Sequence, residues 1–375
     1  MKIAFDAKRA LNNSTGLGNH ARILLNALMR DFPENDYQLF SPKVRDEFFH
    51  QLEGDFKVLM PKTQFEKSFH PIWRSFGITK QLKKERVNIY HGLSNEIPFN
   101  THSSLATVVT IHDLIFLKHT QQYPFIDRQI YTLKTKYAAK HADKIIAISN
   151  ETRNDLIDFY KVPEQKIEVI YQSVDPAFRN QEQGSRNETV IQKYNLPPKY
   201  ILNVGSFFPR KNQRTLIEAF DIIKNEVEED LVLIGGTGSY RKELEGLIHI
   251  KKLLGRVKII SNALNQDLPS IYQVASVFVF PSFFEGFGIP VLEALFSKVP
   301  VIATKGGAIE EAGGKNSFYI NPNSAEQIAD AMLKVLSNEN LKVQMIESGF
   351  VHAQTMTDKT FAENTMKVYR EVLAK

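Results

Sequence analysis

Glu285 and Glu293 stand eight positions apart in the segment VFVFPSFFEGFGIPVLEAL, which runs from Val277 to Leu295. The apolar run Val277–Phe280 predicts a buried strand, and Pro281–Ile289 a loop holding Glu285, Gly286 and Gly288. Pro290 suits the first position of a helix, where its missing N–H costs nothing. Ile289, just before it, is pushed towards an extended conformation, so the turn is abrupt. A glycine loop leading into a helix leaves backbone N–H groups to face an anion. Glu293 is expected in the helix's first turn, Glu285 in the loop, and Phe287 exposed between its two glycines. The plain alternative is a strand–turn–helix with two surface glutamates. The joint pattern of Glu, Gly-Phe-Gly, Pro and a second Glu favours a binding site.

Other strand ends carry complementary groups. Tyr200–Gly205 runs into SFFPRKN, placing Arg210 and Lys211 before a helix, where two cations suit a diphosphate unless they are merely solvated loop residues. The segment is no P-loop, because it lacks the second Gly and the Ser/Thr after Lys. Gly235-Gly236-Thr237-Gly238 follows Leu231–Ile234 and could approach a ligand closely. Gly16-Leu17-Gly18-Asn19-His20-Ala21 matches the dinucleotide pattern GxGxxA but lies about ten residues beyond its strand. No acid for a ribose follows Tyr37–Phe40, so a nicotinamide or flavin site is not expected. Leu105–Ile111 ends in His112-Asp113, and Val87–Tyr90 in His91-Gly92-Leu93-Ser94-Asn95-Glu96.

Something must hold these loops at strand ends. Further strands are expected at Lys2–Phe5, Lys57–Met60, Lys144–Ile148, Ile167–Ile170, Val257–Ile260 and Pro300–Ala303. Helical patterns lie at Leu17–Arg30, Trp73–Arg86, Phe125–His141 and Asn150–Tyr160, the last with Ser149 as N-cap. Short apolar strands between helices predict parallel sheets covered on both faces. The polar run Asn180–Thr189 reads as a linker. The simplest architecture is α/β, with two doubly wound domains facing each other, residues 1–180 and 188–356. Ligands of such sheets bind beyond the carboxyl ends of the strands, where the residues above fall.

EGFGIPVLEAL resembles the E-x7-E signature of the retaining nucleotide-sugar glycosyltransferases of family 4, which have the GT-B fold. STGLGNHARILLNAL, TIHDLIF, HADKIIAIS, KIEVIYQSVD and VGSFFPRKN are also similar to family segments, in the expected order. The resemblance implies two Rossmann-like domains around a central cleft, with a C-terminal helix in 357–375 packing back on the first. It implies that Glu285 contacts the donor sugar and Glu293 the ribose. The amides of Gly286, Phe287 and Gly288 would meet the donor near its diphosphate. Arg210 and Lys211 would neutralise that diphosphate, Gly18 would approach it from the first domain, and His112 would lie beside the sugar. Ser206 stands where many members have Arg, which leaves Arg210 to supply that charge. The implied reaction is retaining and metal-independent hexose transfer. It would run from a nucleotide-diphosphate sugar to a glycan or lipid-linked acceptor in cell-surface polysaccharide assembly. Similarity to mannosyltransferase-like members makes GDP-mannose the first donor to try. No cofactor is expected, and no D-x-D metal-binding pattern occurs.

Composition agrees with a soluble, cytoplasmic enzyme. The chain has 375 residues, 43% apolar, without cysteine, which excludes thiolate metal sites and disulfides. No apolar run approaches the roughly 20 residues that span a bilayer, and the N-terminus reads as a strand instead of a signal peptide. The net charge of +5 lies in residues 1–187, which hold 26 Lys+Arg and 21 Asp+Glu. Lys62–Arg86 alone has seven basic and two acidic residues, interleaved with Phe65, Phe69, Trp73 and Phe76. This stretch is either a solvated helix face with its apolar side in the core or a surface for anionic lipid or a lipid-diphosphate acceptor, a peripheral contact at the inner face of the membrane. An epimerase on the same fold and a non-catalytic nucleic-acid binder are the alternatives. The second leaves the two glutamates unexplained, and no nucleic acid is expected as a partner.

Overall fold

A computed structural model describes residues 1–179 and 184–374. The chain divides into two compact units, Met1–Ser173 with Met356–Lys375, and Val174–Thr355. The first holds seven parallel strands: Lys2–Asp6 (β1), Asp36–Phe40 (β2), Lys57–Leu59 (β3), Ile89–Gly92 (β4), Ala106–Ile111 (β5), Lys144–Ala147 (β6) and Ile167–Val169 (β7). Their order is β3-β2-β1-β4-β5-β6-β7. The second holds Tyr200–Val204 (β8), Asp230–Ile234 (β9), Val257–Ile260 (β10), Val277–Phe280 (β11), Val301–Thr304 (β12) and Phe318–Ile320 (β13). Their order is β10-β9-β8-β11-β12-β13, again parallel. Each order reverses beside its first strand, the place where doubly wound sheets open a crevice.

Burial on both faces explains the near-continuous apolar strands. In the first unit Ile3, Phe5 and Ile89 pack on one side with Leu24 and Leu28, while Ala4, Tyr90 and Val109 pack on the other with Trp73 and Leu82. The C-terminal helix Asp358–Leu373 inserts Phe361, Ala362, Met366 and Tyr369 into the first of these cores. Thr357 caps it by accepting from the Thr360 N–H, and Asp358 takes a hydrogen bond from Arg30 at 2.7 Å. In the second unit Ile201, Leu231, Leu233 and Val279 pack with Leu216, Phe220 and Ile328.

Several sequence readings change. Strand β13 is not predicted by the sequence pattern, since three residues give too little alternation to register. Val87–Tyr90 shifts two residues along to Ile89–Gly92. Residues 180–183 of the expected linker lie outside the described residues, and Gly184–Tyr194 is a helix. Phe178, within the residues assigned to the first domain, belongs to the second unit, its ring 5.6 Å from that of Tyr272. Trp73–Arg86 is not one regular helix: a π turn, Trp73–Gly77, precedes Ile78–Glu85.

Candidate active site

Strands β8 and β11 are neighbours, paired through Val277 with Ile201 and Phe278 with Leu202. Their carboxyl ends therefore emerge side by side, one leading to Arg210 and Lys211, the other to Glu285. Hydrogen bonds lock the two loops together. Phe283 N–H donates to the Arg210 carbonyl at 2.9 Å. The Asn212 side chain donates to the carbonyls of Pro281 at 3.1 Å and Pro322 at 2.7 Å. Asn212 is itself left-handed, with φ 59°, and is the N-cap residue of Gln213–Ile223. Asn tolerates that conformation better than most residues, so it can both turn the chain and bind across.

These crossings bring the three expected charges into contact. Lys211 Nζ donates to Glu285 Oε1 at 2.5 Å, and Arg210 Nη1 to Oε2 at 2.8 Å. The side chains of Lys211 and Glu285 are each 11% exposed. Burial pushes the Glu285 carboxyl up, but Lys211 and Arg210 outweigh it and hold it below its ordinary value. Burial also pushes Lys211 down, with Glu285 opposing and Arg210 adding to the shift. The result is a nearly dry charge cluster at the sheet's switch point, held by the backbone of two loops.

The loop then turns at Gly288, whose φ of 133° disfavours any residue with a Cβ. A Cβ there would also sit 3.2 Å from that of Ala312. Helix Ile289–Phe296 follows with Pro290 in its first turn. Glu293 is its fifth residue, one position past the first turn in which it was expected, because the helix begins one residue before the proline. Glu293 Oε2 accepts a hydrogen bond from the Tyr272 hydroxyl at 2.9 Å. Burial raises the Glu293 carboxyl to about 7; the Tyr272 hydrogen bond opposes this and Asp175 adds to it. Phe287 is not exposed but buried at 2%, so it has a packing role. The isolated aromatic between glycines gave no hint of which way it turns.

In the first unit, β5 delivers His112 to the sheet edge, where it is buried. His112 Nε2 lies 2.9 Å from the Leu93 carbonyl, and Nδ1 lies 3.1 Å from the Gln172 amide nitrogen. A carbonyl only accepts, so Nε2 carries the proton and Nδ1 accepts from Gln172. Burial depresses the ring's pKa to about 4, so it is neutral near pH 7. The glycine loop reaches the same edge: His20, two residues past Gly18, sets its ring 4.7 Å from that of His112, edge to face. Gly18 has a packing reason of its own, since a Cβ would lie 2.0 Å from the Asn13 carbonyl oxygen. Its N–H donates to Thr15 O at 2.9 Å. Tyr272, Gln172 and Asn212 were not singled out in the sequence. Asn212 and Gln172 sit inside recognisable segments, while Tyr272 lies in a short helix with no motif.

Two family models match, glycosyl transferases group 1 over residues 186–351 and glycosyltransferase family 4 over residues 14–178. The O-antigen chain mannosyltransferase B of Escherichia coli is 27% identical over 75% of this chain and 74% of its own. The chain also matches three longer E. coli mannosyltransferases, of which it spans 29%, 28% and 32%. Among solved structures, a glycosyltransferase from Rickettsia africae superposes with TM-score 0.79 at 19% identity, covering 99% of this chain and 98% of that one. Anabaena HepE in complex with UDP-glucose gives 0.76 at 17% identity, covering 99% and 100%. With both models in sequence order and the GT-B architecture in place, the chain belongs to glycosyltransferase family 4 and is mannosyltransferase-like.

Proposed function

We propose that this glycosyltransferase moves a hexose, with retention and without a metal ion, from a nucleoside-diphosphate sugar to a glycan or lipid-linked acceptor of cell-surface polysaccharide. The observation that carries the reading is the meeting of Arg210, Lys211 and Glu285 beside the helix that bears Glu293. Transfer breaks the bond from the anomeric carbon to the β-phosphate oxygen, and the bonding electrons leave with the diphosphate. Arg210 and Lys211 offset that charge in a site with little water, where fixed cations act strongly. The acceptor hydroxyl forms the new bond on the same face, and its proton passes to the departing phosphate oxygen. Glu285 is assigned to the donor sugar and Glu293 to the ribose hydroxyls. The Gly286, Phe287 and Gly288 amides, with Gly18, are assigned to the diphosphate, and His112 to the sugar.

Mannose is favoured by the E. coli relative, an O-antigen mannosyltransferase, and a uridine donor by the Anabaena complex with UDP-glucose. Thermal-shift screening of GDP, UDP and ADP against the purified chain separates the bases, because a ligand of the folded state raises its apparent stability. Turnover of the matching sugar donor with a chelator present, and anomeric coupling constants of the product, test metal use and stereochemistry. Loss of turnover on chelation, or an inverted product, overturns the respective part.

A further inference from the structure

The first unit exposes two rows of large apolar side chains with the same spacing. Phe65, Phe69, Ile72 and Phe76 are 62%, 50%, 49% and 51% exposed and recur at i, i+4, i+7 and i+11. On the helix Phe125–His141, Ile126, Ile130 and Leu133 are exposed and, with half-buried Tyr137, repeat that spacing. Both rows end on Phe99, whose ring lies 5.1 Å from Phe76 and 4.3 Å from Tyr137. The polar link runs parallel, since Glu96 pairs with both Arg74 and Lys134. The two rows are thus parts of one surface, larger than the scattered apolar residues a soluble protein normally shows.

The charge beside the first row is mostly of one sign, while the second row carries an exposed acid, Asp127. Lys62, Lys67, Lys80, Lys83 and Lys84 are exposed, and among the described residues none of their ammonium groups is ion-paired. Of the two acids in the stretch, Glu66 caps its helix through the Thr63 and Lys62 N–H groups, and Glu85 pairs with Lys57. No helix among the described residues is long and apolar enough to cross a membrane. Exposed aromatic rows flanked by unpaired lysines suit the interface of an anionic bilayer, where rings enter the acyl boundary and ammonium groups meet headgroups.

We propose that the surface formed by residues 65–76, Phe99 and the outer face of Phe125–His141 docks the chain on an anionic lipid bilayer. Trp73, buried at 1%, and Arg74, paired with Asp6 and Glu96, are not part of it. The test is flotation of the full chain with phosphatidylglycerol-containing vesicles, and with phosphatidylcholine alone. It needs neither donor nor acceptor, so its outcome is separate from that of the transfer reaction. Flotation is expected only with the anionic vesicles and is expected to weaken with salt. A Phe69→Ser, Ile130→Ser variant should float about tenfold less, each ring or aliphatic group lost from the interface counting separately. Charge reversal at exposed Lys80, Lys83 and Lys84 should do the same and serves if the apolar variant does not fold. Absence of flotation, equal flotation on both lipids, or unchanged flotation of folded variants overturns the proposal. So does a solution dimer that the apolar variant dissociates.

Discussion

Lys211 and Glu285 neutralise each other, Nζ to Oε1 at 2.5 Å, with Arg210 closing the second carboxylate oxygen. Both cations assigned to the donor diphosphate therefore already face an anion. On the proposed assignment of Arg210 and Lys211 to the diphosphate, binding must loosen this pair. Replacing Glu285 with Gln leaves Lys211 buried without a counter-charge, at a cost of about 3 kcal/mol to the ligand-free fold. Nucleoside diphosphate would restore that charge balance. The variant is expected to melt lower alone, to be stabilised more by the nucleotide than wild type, and to transfer sugar poorly. Weaker nucleotide stabilisation than wild type would sink this reading.

Replacing Lys211 with Ala removes a charge-assisted contact that contributes about 1.5–3 kcal/mol, and so about 10- to 100-fold in affinity. Arg210 stays on Glu285 in this variant, which keeps the loops joined. Calorimetric titration with the nucleoside diphosphate identified by thermal shift is the measurement. An affinity equal to wild type would remove Lys211 from the diphosphate site.

Much of this was legible because parallel sheets write themselves plainly: buried strands such as VFVF and short loops at their ends. The pairing of β8 with β11 was not legible, yet it alone puts Lys211 on Glu285, 74 positions away. Phe287 and Glu293 show the second limit, since residue type alone does not say which way a side chain turns or which atoms it meets. Arg74 shows a third. It counted among the basic residues of 62–86, but Asp6 from β1 and Glu96 from the loop after β4 neutralise it. Trp73 likewise went to the core while its neighbours Phe69 and Phe76 stayed outside, in a segment broken at Phe69 and again by the π turn Trp73–Gly77.

Glu293 predicts a pH effect in the second unit. Its carboxyl is raised by burial from 4.5 to about 7, so the folded state holds a proton that the unfolded chain releases. That contribution is complete below pH 4.5 and is lost as pH rises through 7. Its size is at most about 3 kcal/mol between pH 5 and 8. Glu293→Gln keeps the Tyr272 hydrogen bond and removes the titration. Thermal unfolding of the variant should lose less stability from pH 6 to 8 than wild type. Parallel curves would show that Glu293 does not titrate there.

The first unit should respond in the opposite sense, through three buried histidines. Burial depresses His91 to about 3 and His112 to about 4, and takes His20 well below its ordinary value. His91 is held by the Tyr369 hydroxyl at 2.6 Å and by Thr110 at 2.8 Å, while neither ring nitrogen of His20 has a hydrogen-bond partner. The unfolded chain takes up protons near pH 6.5 that the folded unit refuses. Stability from these groups is therefore full above 6.5 and falls as pH drops towards 4 and 3, by up to about 3 kcal/mol per histidine at pH 4. His20→Phe removes one such titration and two unpartnered buried nitrogens, and keeps a ring against His112 and Phe361. Trp73 is the chain's one tryptophan and lies in this unit's core, so its fluorescence follows the acid transition. The His20→Phe midpoint is expected at lower pH than wild type. A midpoint unmoved or shifted upward would mean that His20 is not a source of the unit's acid sensitivity.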